Sequence, residues 1–144
     1  MLSNTSKYAI RAAIYLALHG EQKKRIDIKT IARSLNIPSP FLAKILQVLS
    51  KQKLLVSTKG PNGGFTLAKD PNEISVYEIV TIIDGGDIFD KCLISLRSCN
   101  EEGIPCPIHD KFEPVRAEIK KLFREQTLAN LALDMKTHER IMAL

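Results

Sequence analysis

Four residues near the end of the chain have side chains suited to metal chemistry: Cys92, Cys99, Cys106 and His109. Their spacing is C-x6-C-x6-C-x2-H, and these are the only cysteines in 144 residues. Thiolates are soft ligands, and an imidazole beside them completes a set suited to an iron–sulfur cluster or to zinc. Structural zinc sites usually pair their cysteines across two to four residues. Two six-residue gaps depart from that pattern. Ligands spread along a loop suit an object larger than one ion, so a two-iron, two-sulfide (2Fe-2S) cluster is the favoured reading. Zinc and cluster-free redox thiols are the alternatives. For the fourth position His109 is the candidate, and Asp87, Asp90, Glu101, Glu102 and Asp110 are nearby carboxylates that could replace it. An odd number of cysteines argues against a closed disulfide framework.

The cysteine loop needs elements that position it. Gly85-Gly86 interrupts the chain before it, and Gly103, Pro105 and Pro107 keep it irregular. Irregular backbone can wrap ligands around a metal and gains rigidity from it. After it, residues 108–126 carry the helical stripe Phe112, Val115, Ile119, Leu122 and Phe123. Pro114 falls in the first turns, where proline is tolerated. A helix of about five turns on so small a domain is expected to pack against a second subunit. Thr127 is expected to cap a brief last helix through Leu131 and Leu133.

The segment ahead of the loop has a different character. Residues 1–69 hold 12 Lys and Arg but two acids, Glu21 and Asp27, whereas residues 70–144 hold 9 Lys and Arg against 14 acids. The net charge of +5 therefore conceals a half at +10 and a half at −5. A basic half of this kind points to a polyanion.

Its pattern is that of a winged helix. Residues 5–19 are almost continuously apolar and end at Gly20, which predicts a central buried helix. Residues 20–26 read as a polar loop. Asp27 can cap a second helix, Ile28 to Leu35. After the turn Asn36-Ile37-Pro38, Ser39 is the expected N-cap and Pro40 the first helical residue of a third helix running to about Lys51. Its expected inner stripe is Phe41, Leu42, Ile45, Leu46, Val48 and Leu49. Ser39, Ala43, Lys44 and Gln47 are left outside. Two helices across a tight turn form a helix-turn-helix, whose second helix enters the major groove. Lys44 and Gln47 could then reach base edges or phosphates. Leu55 to Lys59 and Phe65 to Leu67 flank Gly60-Pro61-Asn62-Gly63-Gly64, which reads as a hairpin wing. Lys59 is placed to meet a phosphate or the minor groove. Ser75 and Glu78 form a capping box opening a helix to about Asp84. The expected fold class is therefore mainly α with a small β-hairpin wing, plus a long C-terminal dimerisation helix. The expected division is a DNA-binding domain at 1–84, a cluster-binding loop at 85–107, and a dimerisation helix with its tail at 108–144.

These motifs together resemble the Rrf2 family of bacterial winged-helix regulators, the group of IscR, NsrR and RirA, over roughly residues 1–133. The likeness rests on Ser6-Lys7-Tyr8-Ala9, on Ile37-Pro38 with Phe41-Leu42-Ala43-Lys44, and on Lys59-Gly60-Pro61-Asn62-Gly63-Gly64-Phe65. The three-cysteine loop with His109, followed by Thr127-Leu128-Ala129-Asn130-Leu131, completes it. The resemblance implies a homodimeric transcription factor that binds double-stranded operator DNA and carries one cluster per subunit. It puts the cluster on Cys92, Cys99, Cys106 and His109. The DNA-binding residues on this reading are Lys7, Ser39, Pro40, Phe41, Ala43, Lys44, Gln47, Lys59, Asn62 and Gly63. In some members an acid from the partner's N-terminal region is a ligand, but residues 1–20 contain none. Ala43 and Lys59 depart from the glutamate and arginine usual in IscR-like members, and the cysteine gaps are about one residue longer.

Neither a nucleophile–base pairing nor a phosphate loop opening a helix is present, so an enzyme is not expected. No apolar run of about 18 residues appears, and the N-terminus lacks a signal-peptide pattern. The expected location is the cytoplasm. The rival classes are a partner-controlled or thiol-controlled repressor without a cluster, and an iron–sulfur carrier that would leave the basic half without a purpose.

Overall fold

The computed structural model describes residues 1–20, 24–94, 96 and 106–137. Cys99, Glu101, Glu102, Gly103, Pro105 and the tail from residue 138 lie outside the described residues. Helix α1 spans Asn4–His19, α2 Ile28–Leu35, α3 Ser39–Lys51, α4 Val76–Asp84, α5 His109–Glu125 and α6 Leu128–Thr137. Strands β1 (Leu55–Thr58) and β2 (Gly64–Leu67) lie between α3 and α4. The molecule is thus mainly helical with a two-stranded antiparallel hairpin.

The α1 helix is central because its small apolar residues admit close neighbours. Ala9, Ala12 and Ala13 are fully buried, and α1 packs on α3, α4 and α6. Its N-cap Ser3 accepts the Ser6 amide at 3.0 Å. Asp27 caps α2, accepting from the Thr30 amide at 3.1 Å. At the other end Asn36 takes a left-handed conformation (φ 54°), one of the few residue types that does so readily. The amide of Ile37 then returns to the Ala32 carbonyl at 3.0 Å. This closes the turn that leads into α3.

Two expectations change at α3. The helix begins at Ser39 itself behind Pro38, with no side-chain cap. The amides of Phe41 and Leu42 instead bond the Pro38 carbonyl at 3.1 and 3.0 Å. The inner stripe is also narrower than expected: Leu42, Ile45, Leu46 and Leu49 are buried, while Phe41 and Val48 are 37% and 40% exposed. Spacings of three and four residues fill the face against the core, and positions 41 and 48, seven residues apart, share its outer shoulder.

The hairpin pairs Leu55 with Leu67 through to Thr58 with Gly64. Residue 26, expected in a loop, adds a third edge. Ile26 and Phe65 exchange N–H···O bonds of 3.0 and 2.9 Å. Gly64 permits this approach, since a Cβ there would sit 2.5 Å from the Ile26 carbonyl oxygen. Ser75 caps α4 through the Glu78 amide at 3.1 Å. The second half of the expected box is diverted, because the Glu78 carboxylate pairs with Lys69 at 2.7 Å.

The junction between α5 and α6 is pinned to the entry of α4. Val76 donates to the Gln126 carbonyl and Leu128 to that of Ile74, both at 2.9 Å. Leu128 is fully buried in the core formed by α1–α4, so α6 completes that core. A smaller cluster of Val76, Val80 and Phe89 joins α4 to α5, with Phe123 edge-on to Phe89 at 5.5 Å.

Candidate DNA interface and cysteine loop

The outer face of α3 carries Pro40, Phe41, Lys44, Gln47 and Val48 exposed, with Ser39 and Ala43 half-buried. These residues share one side of a helix whose other side is locked into the core. An edge-on contact of 5.5 Å with Tyr8 of α1 holds the Phe41 ring. Arg11 lies over Tyr8 at 5.7 Å and donates to the Leu35 carbonyl at 3.0 Å, at the end of α2. The aromatic shoulder of α3 is therefore tied to α1 and, through Arg11, to α2. Lys7 is exposed near the start of α1.

In the wing, Lys59 and Asn62 are exposed at the turn. Gly63 has a structural reason of its own: a Cβ there would stand 2.2 Å from the Thr58 carbonyl oxygen. Its amide closes the turn on the Gly60 carbonyl at 2.9 Å. The exposed Lys29 and Arg33 of α2, absent from the expected contact residues, border a hollow with Asn36, Pro38 and Ser39. Their i,i+4 spacing opposite the apolar face of α2 was the available signal.

At the second candidate site, Cys92 and Cys106 are brought together across 14 residues, their sulfurs 3.2 Å apart and both half-buried. Cys99 lies outside the described residues. His109 is the first residue of α5, and its amide bonds the Cys106 carbonyl at 2.9 Å. Among the described residues, no three Cys, His, Asp or Glu side chains converge as a metal site. Two of the alternative acids are engaged elsewhere. Asp90 pairs with Lys120 at 2.7 Å and Asp87 with Lys91 at 3.3 Å.

Arg116 of α5 was not anticipated. It is 7% exposed, pairs with Glu113, and its Nη1 lies 3.3 and 3.5 Å from the carbonyls of Asp90 and Lys91. It thereby holds the two residues that precede Cys92 against α5. The periodicity contained the clue, since Arg116 interrupts an apolar series of Phe112, Ile119 and Phe123.

A family model described as "Rrf2: Iron-dependent Transcriptional regulator" matches residues 2–134. A protein of Aquifex aeolicus, provisionally named an HTH-type transcriptional regulator, is 36% identical over 132 residues, covering 91% of this chain and 90% of its own. The HTH-type transcriptional regulator IscR of Serratia proteamaculans is 28% identical, covering 90% and 77%. Among solved structures, CymR (YrzC), the global cysteine regulator of B. subtilis, superposes with a TM-score of 0.79 at 22% identity, covering 93% of this chain and 97% of CymR. T. potens IscR gives 0.75 at 23% identity, covering 96% and 90%. With the family model spanning nearly the whole chain and the winged-helix fold shared with both structures, this protein belongs to the Rrf2 family of DNA-binding transcriptional regulators.

Proposed function

We propose that this regulator is a homodimer whose occupancy of operator DNA is set by an iron–sulfur cluster, most simply 2Fe-2S, on Cys92, Cys99, Cys106 and His109. The observation that carries the proposal is the approach of Cys92 and Cys106 to 3.2 Å at the foot of α5. The donor set fits the group, since thiolates and an imidazole are its usual ligands. A cluster there supplies a centre sensitive to oxygen, nitric oxide and iron supply. The chain's own residues do the rest. Arg116 and Lys120 fasten residues 90 and 91 to α5, so a change in the loop reaches that helix directly. On α5, Val115 and Leu122 are 51% and 52% exposed and seven residues apart, a face suited to a second copy. Two recognition helices held by one dimer then read a two-fold operator through Ser39, Pro40, Phe41, Ala43, Lys44 and Gln47, with Lys7, Lys59, Asn62 and Gly63 beside the backbone.

The test is an anaerobic absorption spectrum of freshly purified protein with iron and acid-labile sulfide quantified. Visible bands with about equal iron and sulfide are expected, and Cys92→Ala, Cys99→Ala and Cys106→Ala should each abolish them. A protein that stays colourless after anaerobic reconstitution, or three variants that all keep their iron, would refute the cluster.

The same 3.2 Å separation favours a second reading, thiol sensing. Peroxide would oxidise one cysteine to a sulfenic acid with release of water. The other thiolate would then attack that sulfur, expelling hydroxide and leaving a disulfide with sulfurs about 2.0 Å apart. Non-reducing peptide mapping after peroxide treatment of cluster-free protein would reveal a Cys92–Cys106 link. Its absence would dismiss this reading.

A further inference from the structure

The wing has a basic neighbour that α3 does not provide. Because Ile26 pairs with Phe65, the chain entering α2 runs along the outer edge of β2, opposite β1. The exposed Lys24 and Arg25 immediately precede that pair. They line one shallow hollow together with Pro61, Asn62 and Gly63 of the wing turn. Asp27 borders the same hollow, but its carboxylate is occupied by the α2 N-terminus, accepting from the Thr30 hydroxyl at 2.5 Å and the Thr30 amide at 3.1 Å. Among the described residues no carboxylate forms an ion pair with Lys24 or Arg25.

We infer that Lys24 and Arg25, with the Asn62 side-chain amide, form a phosphate clamp on the outer flank of the wing that grips the backbone of duplex DNA. The inference rests on the reading of this chain as a duplex binder. The chemistry matches a phosphodiester: a planar guanidinium fork, an ammonium point charge and a neutral amide donor. Contacts of this kind go to the phosphate backbone, so the clamp adds affinity and register without reading sequence. It lengthens the contacted backbone beyond the groove that the wing tip enters.

The test uses the full chain and a fluorescein-labelled duplex of mixed sequence, with anisotropy titrations across a series of potassium chloride concentrations. Because both protomers of the proposed dimer carry the clamp, the double variant Lys24→Gln, Arg25→Gln removes two contacts from each and should flatten the plot of log affinity against log salt by about four units, with weaker binding at every salt. The charge-conserving pair Lys24→Arg, Arg25→Lys should keep the wild-type slope, and Lys121→Gln on α5 should leave it unchanged. If the double variant melts lower, the single variants should each show about half the change in slope. A double variant that melts normally and keeps the wild-type slope overturns the clamp while leaving DNA binding intact. Wild-type protein that binds no duplex at any salt overturns the duplex reading, and the clamp with it.

Discussion

At the scale of single residues, Asp84 shows how one side chain joins the two ends of the DNA-binding core. It closes α4 and takes hydrogen bonds from both the amide and the hydroxyl of Ser3, the cap of α1. Burial opposes its charge, but the bonds from Ser3 and the nearby Lys91 outweigh burial, and its carboxyl is held below the ordinary 3.8. A depressed carboxylate stabilises the fold fully above its unfolded value, and the contribution fades as pH falls through the lower folded value. Asp84→Asn should therefore cost about 1–2 kcal/mol near neutral pH, at the low end for hydrogen bonds to a charged group because Asp84 is only half-buried and screened by water. The gap between variant and wild type should close below pH 3.8. Thermal melts from pH 7 downward check this, and a gap that does not change with pH would refute it.

At the scale of elements, the wing is built by backbone proximity. Gly60 has φ 104° but open space around it, so Gly60→Ala should cost about 1 kcal/mol through conformation alone. Gly64→Ala must push its Cβ against the Ile26 carbonyl oxygen 2.5 Å away. It should cost more than about 2 kcal/mol and release the pairing of Ile26 with Phe65. Denaturant melts with amide exchange at residues 26 and 65 compare the two variants. Equal costs would show that the edge contact contributes nothing. The α5 helix carries a different message. Its apolar stripe is only partly covered within one chain: Ile119 and Phe123 pack on the small cluster, while Val115 and Leu122 remain exposed.

For the whole molecule, that uncovered face bears on assembly. Val115→Asp with Leu122→Asp should convert the proposed dimer to a monomer without loss of helix content. Operator affinity should fall at least tenfold, about 1.4 kcal/mol, once one half-site is lost. Sedimentation of the double variant checks this, and a surviving dimer would place the interface elsewhere. The charge division serves the same arrangement. The +10 half carries the recognition helix and the wing, and the −5 half carries the cysteine loop and α5. An acidic C-terminal half discourages a second, unproductive way of lying along DNA.

The sequence alone determined what local periodicity and capping control: six helices, the hairpin between the third and fourth, and the basic and acidic halves. Asp27, Ser75 and Gly20 mark helix ends because their effect reaches only a few residues along the chain. It also named the cysteines, because ligand chemistry belongs to residue type. Tertiary structure decided which side chains meet. Phe41 and Val48 fall on the expected inner stripe yet stay exposed, because helical phase cannot say how wide a buried face will be. Ile26 as a third edge, α6 completing the core of α1–α4, and Arg116 gripping residues 90 and 91 all depend on partners more than 20 residues away in the chain. Burial and long-range hydrogen bonds draw their free energy from such partners, and no local pattern specifies them.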